Sequence, residues 1–145
     1  MEAVARQFAH GKKCLIVRNG FFSYRWSQIL EQGGIASETK VLAARQEDRF
    51  QAPFSPAPIE EVCAEIAAFR PDIVFAPHVE TASGIMLPDG YIAKLAEAVH
   101  AVGGLLAVDC IASGCIWLDM EKLGIDILLS APQKGWSGTP CGGLV

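Results

Sequence analysis

The segment Asp72–Asp109, "DIVFAPHVETASGIMLPDGYIAKLAEAVHAVGGLLAVD", decides how the chain folds. It opens with the continuous apolar run "DIVFAP", the pattern of a strand covered on both faces. The middle, "DGYIAKLAEAVHAVGG", carries apolar residues at helical spacing, has Asp89 placed to cap it and stops at a pair of glycines. "LLAVD" then supplies a second buried strand. Strand, helix and strand in that order predict a right-handed crossover between parallel neighbours.

The same alternation continues in both directions. Upstream, "KCLIVRNG" reads as a strand ended by Asn-Gly, "FSYRWSQILEQGG" as a helix with a double-glycine stop and "TKVLAA" as a strand. A proline-rich connector, "FQAPFSPAPI", leads to the amphipathic helix "IEEVCAEIAAF". Downstream, "LDMEKLG" is a short helix, "DILLSA" a strand, and "GGLV" the start of one more. The predicted fold class is α/β: a mainly parallel sheet with crossover helices, in one domain over residues 1–145.

Composition narrows the function classes. With 51% hydrophobic and 19% charged residues the chain can fill a core and is not disordered. The net charge is -4, and the lysines and arginines are scattered among carboxylates, which argues against a nucleic-acid partner. No apolar run approaches the ~20 residues of a membrane span, and no signal pattern surrounds Glu2, Arg6, Lys12 and Lys13, so a cytoplasmic protein without a membrane partner is expected. The five cysteines are odd in number and form no CxxC pair, which predicts reduced thiols and no metal site.

In open parallel sheets ligands lie beyond the carboxyl ends of the strands. The residues found there are His78, Glu80, Thr81 and Ser83 after "DIVFAP", Asp109 at the end of "LLAVD", and Gln133 and Lys134 after "DILLSA". Taken singly, each has an ordinary explanation. Asp109 suits a loop cap and Lys134 a solvated loop position. His78 is either a hydrogen-bonded loop residue or a ligand contact, and Glu80 reads as a structural partner in preference to a catalytic acid. Trp26, Trp117 and Trp136 read as packing residues.

Taken together, "HVETASG", "AVDCIASG" and "GIDILLSAPQKG" resemble, in order and spacing, the core of the class V aminotransferases, fold-type I enzymes that use pyridoxal 5'-phosphate. "RNGFFSYRW" resembles the same family's segment before its first crossover helix. The family is typified by alanine–glyoxylate and serine–pyruvate aminotransferases. The resemblance implies that Lys134 holds the cofactor's aldehyde and carries the proton as base and acid. Asp109 would keep the ring nitrogen protonated, Thr81 would hydrogen-bond the phenolic oxygen and Gln133 would reach the phosphate. It also implies an amino acid and a 2-oxo acid as substrates, and a homodimer. Chemistry independently favours an acid at the end of a buried strand and an amine in the facing loop, since a pyridinium electron sink needs both.

Ala82, Pro132 and "WSGTPCGG" depart from the family pattern and leave the substrate open. The family's glycine- and serine-rich phosphate turn, its ring-stacking residue and its small C-terminal domain are expected outside this chain. Residues 1–145 therefore read as a partial large domain, inactive by itself. Two alternatives stand beside the aminotransferase: a lyase or desulfurase of the same fold, where histidine is usual in place of Gln133, and a non-catalytic α/β binding module, for which no GxGxxG or GxxxxGK[ST] fingerprint is present.

Overall fold

The computed structural model describes residues 1–145. In chain order the elements are α1 (Glu2–Phe8), β1 (Lys13–Arg18), α2 (Phe21–Gln32), β2 (Glu38–Ala43), β3 (Arg45–Gln46), β4 (Phe54–Ser55), α3 (Ile59–Phe69), β5 (Ile73–Pro77), β6 (Val79–Glu80), β7 (Ile85–Met86), α4 (Asp89–Ala101), β8 (Leu105–Asp109), the 3-10 turn Ile111–Ser113, α5 (Met120–Leu123) and β9 (Ile127–Leu129). Five strands form one parallel sheet in the order β2-β1-β5-β8-β9. Leu144 adds an isolated antiparallel bridge to Ser130 beside β9.

Strand alternation divides the core into two layers. Leu15, Val17, Val74, Ala76, Leu106 and Val108 face α3, α4 and α5, whose Val62, Ile66, Ile92, Leu95 and Leu123 pack on them. Cys14, Ile16, Ile73, Phe75, Ala107, Ile127 and Leu129 face α1 and α2, which contribute Val4, Ala5, Trp26 and Leu30. Trp26 stacks on Phe75 with ring centroids 4.1 Å apart. Covering on both faces is why these strands read as unbroken apolar runs. Helix α4 follows the same logic: Tyr91, Ile92, Leu95, Ala96 and Val99 recur at helical spacing and are buried, while the rest of its surface meets water.

The chain's direction of winding reverses between β1 and β5. From β1 it crosses outward through α2 to β2; from β2 it returns through α3, on the other face, to β5 and continues to β8 and β9. Ligand crevices form at such a reversal, on the carboxyl side of the strands.

Three details depart from the sequence reading. Asp89 is the first residue inside α4, not its cap; Pro88 holds the cap position and no side-chain cap bond forms. The proline-rich connector supplies β4, which pairs with β3 just upstream of it in a two-stranded hairpin. The segment after β5 folds into a second hairpin, β6–β7, which tips residues 81–84 over the sheet's carboxyl edge. No helix is long and apolar enough to cross a membrane. Phe75→Ala, which removes the ring stacked on Trp26 at the centre of the sheet, is expected to destabilise the fold by about 3–5 kcal/mol in chemical denaturation.

Candidate active site

The site is set by where three strands stop. Pro77 lies opposite Asp109, and Asp109 opposite Leu129, so β5, β8 and β9 end level. Along β8, Leu106 and Val108 point to the α3–α5 layer and Ala107 to the α2 layer. Period-2 alternation therefore turns the Asp109 side chain toward α2. It meets there a cavity of about 630 Å³, which Thr81, Lys134, Phe22 and Ser23 also line. That volume lies in the range of small-molecule sites.

Asp109 uses one carboxylate oxygen, Oδ1, to accept the Ile111 amide at 2.9 Å, leaving Oδ2 without a protein donor. Burial pushes its pKa above the ordinary carboxylate value, and the Ile111 amide opposes that shift. An acid in this setting is short of hydrogen-bond donors. Thr81 sits in the turn of the β6–β7 hairpin, with its side chain exposed to the cavity.

Lys134 lies in the turn after β9, and its loop is held by main-chain contacts. The Trp136 indole Nε1 donates to the Gly114 carbonyl at 2.6 Å. Gly135 packs so closely on the neighbouring loop that a Cβ there would lie 3.0 Å from the Cys115 nitrogen and 3.1 Å from the Gly114 Cα. A side chain there would force the lysine loop or the Gly114–Cys115 segment to give way slightly. Gln133, one position before the lysine, is exposed and does not line the cavity.

His78 and Glu80 are buried and stand behind the site. The His78 amide donates to the Asp109 carbonyl at 2.8 Å, and its Nδ1 lies 2.8 Å from Ser113 Oγ. His78 thus braces both Asp109 and the turn that follows it. Burial holds its pKa below the usual histidine value, with Asp89 opposing. Glu80 accepts from the Phe22 amide at 3.1 Å and from the Ser23 amide and hydroxyl at 2.8 and 2.7 Å, the structural role its sequence position suggested.

Phe22 was not selected from the sequence. Its ring is 53% exposed at the first turn of α2 and forms part of the cavity wall. The signal was present as two consecutive aromatics, Phe21 and Phe22, directly after an Asn-Gly at a strand's carboxyl end, where packing alone gives no reason for exposed rings. The five cysteines are free, and burial drives the Cys14 thiol up to about 12, away from reactivity.

An amine, an under-satisfied carboxylate, a hydroxyl and an open aromatic face around one cavity can hold a flat, cationic heterocycle that carries an aldehyde. Known proteins with this arrangement of chain exist. The alanine–glyoxylate aminotransferase of Rattus norvegicus is 31% identical over 132 residues, which take in 90% of this chain and 29% of that protein. The L-aspartate–glyoxylate aminotransferase of Paracoccus denitrificans is 29% identical over 142 residues, covering 95% of this chain and 33% of its own length. Among solved structures, ureidoglycine–glyoxylate aminotransferase from Bacillus subtilis superposes with a TM-score of 0.73 at 25% identity, over 91% of this chain and 32% of that one. No family model matches the chain. By sequence and by fold the chain is similar to aminotransferases of class V and fold type I, and it spans about a third of the length of the relatives it matches.

Proposed function

We propose that the protein carrying this chain is a pyridoxal-phosphate-dependent aminotransferase, with Lys134, Asp109, Thr81 and Phe22 as cofactor residues. The observation that carries the reading is their convergence on one cavity at the level ends of β5, β8 and β9. The donor set fits the cofactor by its chemistry. Asp109, with one oxygen free of protein donors, would hold the ring nitrogen, Thr81 would supply a hydroxyl for the phenolic oxygen, and Phe22 would supply an aromatic face for the ring. In this reading Phe22 fills the stacking role that the sequence alone assigned to a segment outside the chain. Gln133 does not line this cavity and is proposed to reach the phosphate, beyond the part of the site that the cavity forms.

When bound, the cofactor supplies an electron sink for the pair left behind as the α-proton of the amino acid departs. The chain's own residues do the rest. Asp109 would keep the ring nitrogen protonated. Lys134 Nζ would hold the cofactor's aldehyde and would serve as the base and acid that moves the substrate's α-proton. A small amino acid as donor and a 2-oxo acid as acceptor are proposed because the relatives above pair alanine or aspartate with glyoxylate. Residues 1–145 would form the central part of a large domain, in a symmetric homodimer. Free thiols suit a reducing compartment such as the cytoplasm.

Borohydride reduction of the whole protein followed by peptide mapping should place the cofactor on Lys134 and on no other lysine. Lys134→Ala should lose that attachment and about 10³-fold or more in turnover, since one residue serves as both tether and proton carrier. Labelling of another lysine, or transamination at the parent rate, would remove the assignment; sulfide release in place of amino transfer would favour the desulfurase alternative. Asp109→Asn should keep the covalent attachment and lose turnover.

Asp109→Asn also gives a pH test on the cofactor-free protein. The folded-state pKa of Asp109 is raised, so the native state binds its proton more tightly than the unfolded chain does. The stability this provides is complete below the ordinary carboxylate pKa of about 3.9 and is lost as pH rises through the raised value. The asparagine variant, which can still accept from Ile111, should therefore melt above the parent at pH 7, with the difference closing as the pH falls toward 4. A variant that melts below the parent at neutral pH would contradict this.

A further inference from the structure

Glu80 is the only fully buried acidic side chain in the protein, and it does not line the cavity. We infer that Glu80 is a positioning residue that fixes the spacing between two walls of the active site, by strapping the first turn of α2 to the β6–β7 hairpin. The inference rests on the aminotransferase reading and extends it to a residue that does not touch the cofactor pocket.

The contacts run across the gap in one direction. Glu80 lies at the end of β6, next to Thr81. Its Oε2 accepts from the Ser23 amide and hydroxyl, and its Oε1 from the Phe22 amide. Phe22 and Ser23 form the α2 wall of the cavity, and Thr81 belongs to the opposite wall. Oε1 also takes the Ala82 amide of its own hairpin at 3.3 Å, so one carboxyl group serves both walls at once. The amides of a helix's first turn lack intrahelical acceptors, which makes a buried acceptor at this point an anchor for the whole helix end.

Gly20 is an independent sign that this seat was shaped for Glu80. Its φ of 171° is extended backbone that any residue adopts, so conformation does not call for glycine. Space does: a Cβ at Gly20 would lie 2.8 Å from Glu80 Cγ and 2.9 Å from Cδ. The Asn-Gly that resembles a turn signal in the sequence clears room for the carboxyl group.

The chemistry tolerates little change. Both oxygens face donors only, so Glu80→Gln must set its NH₂ against either the Phe22 and Ala82 amides or the Ser23 amide, whichever way it turns. Glu80→Asp keeps two acceptors and shortens the strap. Gly20→Ala pushes the unaltered carboxyl group from behind. In the whole protein stripped of cofactor, pyridoxal phosphate is titrated and the quenching of tryptophan fluorescence gives Kd. The three variants should each raise Kd by about tenfold or more, as expected for loss of a buried charge-type hydrogen bond transmitted to the site. Ile66→Val, in the core layer on the far face of the sheet, serves as a control of similar thermal stability loss and should leave Kd within about twofold. At saturating cofactor the Glu80 variants should recover most of the parent kcat, because Lys134 and Asp109 are intact.

Affinities of Glu80→Gln and Gly20→Ala within twofold of the control would show a contact that only stabilises the fold, and would overturn the inference. If Glu80→Gln does not fold, Gly20→Ala decides by the same comparison. If the parent itself binds no pyridoxal phosphate, or borohydride marks a lysine other than Lys134, the underlying reading has failed and the inference falls with it.

Discussion

The register that ends β5, β8 and β9 at one level is the constraint on which the site depends. Pro77, Asp109 and Leu129 form a row across three parallel strands. A slip of β8 by one residue would turn Asp109 into the α3–α5 layer among Leu106's neighbours and expose Val108 to the cavity. Burying an unpaired carboxylate among aliphatic side chains is prohibitive. The apolar alternation of β8 and its partners thus does more than stabilise the sheet: it aims the one polar group that closes the strand. The site inherits its accuracy from the core.

Much of this was legible because it rests on period and composition. Strands covered on both faces appear as apolar runs, and α3 coincides with the segment "IEEVCAEIAAF". The hairpins β3–β4 and β6–β7 were not legible, since strands of two residues are too short to show a period. Asp89 failed as a cap because Pro88 already supplies the extended residue that precedes the helix, leaving Asp89 inside its first turn. At the cavity, the strand-end rule pointed to Asp109, Thr81 and Lys134, which lie at the end of an apolar run or a few residues beyond one. Phe22 escaped it because it reaches the cavity from a helix start, across a gap that only the tertiary fold closes. Gln133, adjacent to Lys134 in sequence, is exposed and does not line the cavity.

Two acidic residues meet near the cavity, and their surroundings divide their work. Glu80 is surrounded by donors from α2 and its own hairpin, which satisfies it and withdraws it from chemistry. Asp109 has one donor, a free oxygen and a pKa raised by burial. Pairs of titratable groups whose environments diverge in this way take different roles at an active site. An acid left short of donors destabilises the empty protein slightly; in the proposed reading a cationic ring would complement it, and part of the selectivity for that ring would be stored in the fold. His78 fits the same division: buried behind Asp109 and bonded to the turn after it, it supports the acid and does not line the cavity.

Lys134 poses the reverse problem. An ammonium on a flexible four-carbon stem has no intrinsic aim, and side-chain contacts that fixed it would also occupy the amine. Its position must then be set at the Cα. Gly135 lies in near-contact with Gly114 and Cys115, and the Trp136 indole is bonded to the Gly114 carbonyl, so the residues after the lysine clamp its loop to the segment that leaves Asp109. The lysine backbone is thereby referenced to the acid by way of Ile111–Gly114, a short path of rigid main chain. The base of the lysine is fixed while its tip makes no protein contact that would occupy the amine, an arrangement that suits the tether and proton carrier proposed for Lys134.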